Sequence, residues 1–219
     1  MLEHLKLEVI RIAKEAQRSG LCKHKSGNFS ARDPRTGYFV ITPSGVDREE
    51  LTPDQMCVLD MDLHLLEGKK PSSETLMHAE IYRTREDVFA IAHTHSIAAT
   101  AFACVAKPIP ALVYELFPYK LKDGRIPVAK YGRPGTEELA KYTAEAVKDA
   151  DLVLMEKHGA AAVGKDVDTA YLGAQYLEEA AELYTRVLII NGGREPERFS
   201  AAEYSAWKYP EKLRCKEDK

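Results

Sequence analysis

The stretch AIAHTHSIAATAF, residues 90–102, sets two histidines two positions apart at the end of an apolar run and follows them with small residues. On a β-strand, side chains at i and i+2 project to the same face. His93 and His95 can therefore present two imidazoles together, while Thr94 points away. Ser96 then reads as the cap of a small-residue helix over 97–105. Only 7 of the 219 residues are histidines, so a pair in this register asks for a third group to meet.

His158 supplies a candidate. It lies in DLVLMEKHGAAAVG (151–164), which reads as two apolar strands broken at Lys157–Gly159, with Gly159 permitting a sharp turn. Three protein ligands plus an open position describe a catalytic rather than a closed structural metal site. Neutral imidazole nitrogen favours Zn²⁺, with Mn²⁺, Fe²⁺ and Co²⁺ also compatible. H-x-H alone is a weak signal. His4, His24, His64 and His78 lack such a context and read as surface or packing residues, although His78 sits one helical turn after Glu74 and can support a site from behind.

Outward from these strands, the chain mixes strands and helices without regular βαβ alternation. Leu5, Val9, Ile12, Ala13 and Ala16 recur at helical spacing and open the chain with an amphipathic helix. GNFSARDPRTGYFVITPSG (27–45) reads as two strands joined by the Asp33–Gly37 turn, and 55–68 as another pair around Asp60–Asp62. Residues 71–87 turn helical, with Ser73 as the expected cap and Glu74 in the first turn. Thr136 caps a helix over 135–150, 166–192 forms a long helix closed by Gly192, and a last helix spans about 200–208. This pattern predicts a single α/β domain over 1–219, a sheet covered by helices and not a Rossmann fold.

Composition narrows the function. The formal charge of −3 gives no reason to expect nucleic acid or an anionic membrane as partner. No apolar stretch is long enough for a membrane span, and the N-terminus lacks the uninterrupted apolar core of a signal peptide. Cys22, Cys57, Cys104 and Cys215 form no C-x-x-C pair. Cys57 and Cys104 read as reduced core residues, and a cytoplasmic protein is the expectation.

Three loops of small polar residues accompany the histidines: SGNFS (26–30), TPSG (42–45) and PSSE (71–74). Each offers backbone N–H groups and hydroxyl or amide donors, and Ser72 and Ser73 precede a helix whose N-terminus favours an anion. Such loops are ordinary turns when met singly. Together, beside a metal site, they point to a phosphorylated substrate.

Taken in order, GN-x-S (27–30), TPSG (42–45), PSSE (71–74), HTH (93–95) and HG (158–159) resemble the class II aldolase/adducin-head family, from about Leu5 to Tyr209. The resemblance implies a three-layer fold with a central, mainly antiparallel sheet flanked by helices. It implies a divalent metal, usually zinc, on His93, His95 and His158, with Glu74 a possible fourth ligand. It places phosphate contacts on Asn28, Ser44, Gly45, Ser72 and Ser73. It also implies a homotetramer with sites at subunit interfaces.

Within the family, the sugar-phosphate aldolases of the fuculose type carry Glu at the position of Glu74 as acid/base, where the 4-epimerases usually carry Asp. Pro118 stands where the epimerases have a catalytic Asp. Tyr114 matches a tyrosine that reaches a neighbouring subunit's site, and Tyr209 matches a C-terminal tyrosine that assists. SARDP and TPSGVD lean toward the epimerases, and Glu115 offers a base for a dehydratase. The expected activity is metal-dependent cleavage of a ketose 1-phosphate, with a 4-epimerase, a related dehydratase or decarboxylase, and a metal-free structural domain as the alternatives.

Overall fold

The computed structural model describes residues 1–206. Its first helix, α1 (Glu3–Arg18), buries Val9, Ile12, Ala13 and Ala16 along one face, as the helical spacing requires. Strands β1 (Asn28–Arg32) and β2 (Phe39–Ile41) form the predicted hairpin, whose turn is closed by the Gly37 N–H donating to the Asp33 carbonyl at 2.9 Å. Strands β3 (Cys57–Leu59) and β4 (Leu65–Glu67) follow, then α2 (Thr75–Thr84), β5 (Ala90–Thr94) and α3 (Ile97–Cys104).

The next region holds two short strands, β6 (Ile109–Pro110) and β7 (Arg125–Ile126), paired with each other, and then β8 (Val128–Ala129). Helix α4 (Glu137–Val147), β9 (Leu152–Met155), β10 (Gly159–Gly164), α5 (Val167–Ile190) and α6 (Ala201–Ala206) complete the order. Two caps stand out. The Thr136 hydroxyl accepts from the Leu139 N–H, and the Asp166 carboxylate accepts from the Thr169 N–H, each satisfying a donor that the first helical turn leaves open.

Eight strands form one sheet in the order β4-β3-β2-β1-β5-β10-β9-β8. Every neighbouring pair is antiparallel except β8–β9. Helices α1, α3 and α5 cover one face, and α2 and α4 pair with each other over the other. This is the three-layer α/β architecture expected from the sequence. All six residues of β10 are buried, and its alanines let α5 lie close against the centre of the sheet.

Register decides which side chains meet. Asn28 pairs with His93 across β1–β5, and His93 pairs with Ala161 across β5–β10. Directly paired residues share a sheet face, so Asn28, Ser30, Ile91 and His93 all look toward α2.

The structure corrects three expectations. Helix α2 starts at Thr75 with Glu74, not Ser73, in the capping position; the Thr75 N–H and hydroxyl both donate to the Ser72 carbonyl, which leaves Ser73 exposed. Cys104 is exposed at the end of α3, because that helix turns only its other face to α5, while Cys57 is buried as expected. The sharp turn that Gly159 was expected to permit takes its left-handed residue at Lys157, with φ 55°. Tyr209, Cys215 and the end of the 200–208 helix lie outside the described residues.

Candidate metal centre

His93 is fully buried near the C-terminal end of β5. Its Nδ1–H donates to the Ala160 carbonyl of the next strand at 2.9 Å. A carbonyl only accepts, so Nδ1 carries a proton and Nε2 is the ring atom left to meet Glu74 and His95. His95 follows just past the strand, with its Nε2 3.0 Å from that of His93. His158 enters from the β9–β10 turn, which is closed by its own N–H donating to the Met155 carbonyl at 3.0 Å. The three rings stand edge to face, with centroids 4.8–5.0 Å apart.

Gly159 is needed for approach rather than for φ. A Cβ there would lie 2.4 Å from the Thr94 carbonyl oxygen and 3.3 and 3.4 Å from the His95 and His93 rings. Gly27 does both jobs on the opposite side: its φ is 73°, and a Cβ would meet Cys22 Sγ at 2.5 Å and the His93 carbonyl oxygen at 2.6 Å. Glycine at these positions lets two turns close on the histidine strand.

Glu74 completes the cluster. Its Oε2 lies 2.9 Å from His93 Nε2, and its Oε1 lies 3.1 Å from His158 Nε2. The ligand atoms of Glu74, His93, His95 and His158 all fall within 4.8 Å of one another. Burial raises the carboxyl's pKa, but His93 and His158 outweigh it and hold Glu74 ionised. Burial, then His93 and His158, push His95 down to about 3, so it is neutral and ready to ligate.

The donor set fits a divalent cation. Two imidazole Nε2 atoms face each other where only one can hold a proton for the other. Glu74 Oε1 is buried with the His158 Nε2 at 3.1 Å as its neighbour, a sparse environment for a carboxylate oxygen. One cation among the four groups satisfies all these atoms at once. Three nitrogens and one carboxylate oxygen suit Zn²⁺, Mn²⁺ or Co²⁺.

The polar loops gather beside this cluster. An isolated bridge pairs Pro43 with Pro71, the Ser44 N–H donates to the Lys70 carbonyl at 2.9 Å, and the Ser72 N–H to the Thr42 carbonyl at 3.3 Å. TPSG and PSSE therefore lie side by side. Ser44, Gly45 and Ser73 are exposed, and the Ser72 hydroxyl accepts from the Glu74 N–H at 3.3 Å. Asn28 is buried, and its side chain turns inward: Nδ2 donates to Glu74 Oε2 at 2.9 Å. Tyr114 opens the short 3-10 turn 114–116 and is half exposed. Tyr204 donates from its hydroxyl to the Tyr119 carbonyl at 2.7 Å and anchors α6.

In the sequence His78 reads as packing or as a group supporting the site from behind, and Arg48 escapes the sequence reading. His78 is fully buried on α2, 2.5 Å from Asn28 Oδ1, and burial pushes it down to about 3; its place one turn after Glu74 was the available signal. Arg48, in the charged run DREE, is buried, and its guanidinium donates to the Lys25, Gly27 and Val46 carbonyls. It ties the loop before β1 to the loop after β2, and nothing in its sequence context marks it.

A three-layer α/β fold with three imidazoles and a carboxylate converging at the end of its central strands defines a candidate metal-dependent enzyme. The chain belongs to the family described as Class II Aldolase and Adducin N-terminal domain, which it matches over residues 7–185. It is 33% identical over 185 residues to the 5-deoxy-D-ribulose 1-phosphate aldolase of Bacillus thuringiensis serovar kurstaki, covering 84% of this chain and 85% of that one. It is 33% identical over 183 residues to the L-fuculose phosphate aldolase of Escherichia coli K12, covering 84% and 83%. A solved L-fuculose 1-phosphate aldolase superposes with a TM-score of 0.86 at 33% identity, covering 92% of this chain and 93% of that one. Family membership and the metal-type cluster support a sugar-phosphate aldolase or lyase activity.

Proposed function

We propose that this protein cleaves a ketose 1-phosphate resembling L-fuculose 1-phosphate, reversibly, to dihydroxyacetone phosphate and a short hydroxyaldehyde. The observation that carries the reading is the convergence of Glu74 with His93, His95 and His158 within 4.8 Å. His93, His95 and His158 hold the cation, Zn²⁺ for preference, with Mn²⁺ or Co²⁺ as alternatives and Glu74 as a possible fourth ligand. When bound, it supplies Lewis acidity toward the substrate's carbonyl and hydroxyl oxygens.

The chain's own residues do the rest. In the condensation direction Glu74 takes a proton from C3 of dihydroxyacetone phosphate; in cleavage it returns that proton. Asn28 donates to Oε2, so we assign the proton to Oε1, which faces His158 Nε2 at 3.1 Å. Tyr114, reaching the site of a neighbouring subunit, exchanges the proton at the aldehyde oxygen, and Tyr209 closes over the sugar tail. Ser44, Gly45, Ser72 and Ser73 cradle the phosphate, with Asn28 at its inner edge; the adjoining loops and their small residues suit close backbone approach. The assembly is a homotetramer in the cytoplasm.

The Bacillus relative favours a second substrate of the same class, a 5-deoxypentulose 1-phosphate, which shares the phosphate end and differs at the aldehyde. A coupled assay for dihydroxyacetone phosphate across a panel of ketose 1-phosphates, with and without chelator, tests the reading. Conversion of ribulose 5-phosphate to xylulose 5-phosphate with no triose released replaces it with the epimerase. Purified protein that neither binds nor responds to a divalent ion replaces it with a structural domain.

A further inference from the structure

A buried polar chain runs from Glu74 into the core between α2 and β1, and its polarity can be worked out from one end. The Asn28 amide turns its NH₂ toward Glu74, with Nδ2 donating to Oε2 at 2.9 Å. Asn28 Oδ1 then faces His78 Nε2 at 2.5 Å, and a carbonyl oxygen only accepts, so Nε2 carries the proton. His78 Nδ1 lies 2.6 Å from the Ser30 hydroxyl, which lies 2.6 Å from the Tyr82 hydroxyl. His78, Ser30 and Tyr82 are all fully buried, and among the described residues the ring's hydrogen-bond partners are Ser30 and Asn28, with no carboxylate. The neutral ring therefore accepts at Nδ1 from Ser30, and Ser30 accepts from Tyr82.

We infer that His78 is a positioning residue for Glu74. Its Nε2–H fixes the orientation of the Asn28 amide, and that orientation aims a donor at Oε2, the oxygen that also faces His93 Nε2 at 2.9 Å, while Oε1 faces His158. A flipped Asn28 would put a carbonyl oxygen against the carboxylate. Ser30 and Tyr82 hold the tautomer from behind. The inference rests on the reading that Glu74 is the acid/base or metal-bound carboxylate.

Three measurements test it. The first is the ¹⁵N–¹H spectrum of the His78 ring in the zinc-loaded protein, expected to show a protonated Nε2 and a bare Nδ1. The second compares His78→Leu with His78→Gln, whose amide can return a donor toward Asn28. Leu is expected to lower kcat or Zn²⁺ affinity, the latter read by competition with a chelator, by about 10–100-fold, the usual effect of losing a group that orients a ligand. KM is expected to stay within about twofold, and Gln to recover most of the loss. Should Leu fail to fold, Ser30→Ala frees Nδ1 and is expected to give a mixed tautomer spectrum with a several-fold loss. A ring protonated on Nδ1 in the wild type, or folded Leu and Gln variants that match the wild type or suffer equally, overturns the assignment. If no ketose 1-phosphate is cleaved, the aldolase reading fails, while the spectrum and the Zn²⁺ competition still decide the role of His78.

Discussion

Gly159→Ala tests the geometry of the centre at one atom. The added Cβ would sit 2.4 Å from the Thr94 carbonyl oxygen, where carbon–oxygen contacts normally begin at about 3.3 Å. The overlap of about 0.9 Å falls on backbone, which cannot swing aside as a side-chain tip can. It also falls between two turns that carry ligands, since Thr94 leads to His95 and Gly159 follows His158. Relief must push those turns apart by close to the overlap itself. Overpacking of this kind costs about 1–3 kcal/mol, and a displacement near 1 Å at reacting groups costs about 100-fold in rate. Urea denaturation should show the lost stability, and chelator competition should show weaker Zn²⁺ retention. A Gly159→Ala protein with wild-type denaturation midpoint and wild-type Zn²⁺ affinity would refute the claim that closeness to Thr94 is why glycine stands there.

Glu74→Gln should keep the fold and lower release of dihydroxyacetone phosphate by about 10²–10⁴-fold, the range for losing a general base; near-normal release with metal retained removes Glu74 from that role. Tyr114→Phe should leave metal content and assembly unchanged while slowing aldehyde cleavage by about 100-fold, read as kcat on the best substrate of the panel. Chelation should abolish turnover and lower the Tm. Zn²⁺ at about 100 times its Kd should restore about 2.7 kcal/mol of stability, and a Tm indifferent to both treatments argues against a bound ion. Thr136→Ala removes the hydroxyl that accepts from the Leu139 N–H and should cost about 1 kcal/mol in denaturation, with kcat untouched.

Residues governed by local periodicity were legible from the sequence. His93 and His95 share a face because a strand repeats every two residues, and His158 follows an apolar strand into a turn. The capping Thr136 and the hairpin turn at Asp33–Gly37 rest on contacts three or four residues apart. What depended on distant partners was not legible. Whether Asn28 faces a ligand or Glu74 depends on a residue 46 positions away, and His78 gains its role from β1, 50 positions back. The start of α2 escaped because the Thr75 N–H and hydroxyl both donate to the Ser72 carbonyl rather than to a Ser73 cap. Arg48 looks like any surface charge until the fold brings the Gly27 carbonyl to it. Glu74 itself was assigned from family resemblance, and its company of two imidazoles and an amide came only from the fold.

The ligands do not sit equally deep in the sheet. His93 belongs to β5, flanked by β1 and β10 in the middle of eight strands, whereas His95 and His158 lie just beyond strand ends. Amides of central strands exchange with solvent only through near-global opening, but turns open locally and often. A bound ion would therefore be held by one side chain fixed in a central strand and by two carried just beyond strand ends, where local opening would displace the outer two before it displaced His93.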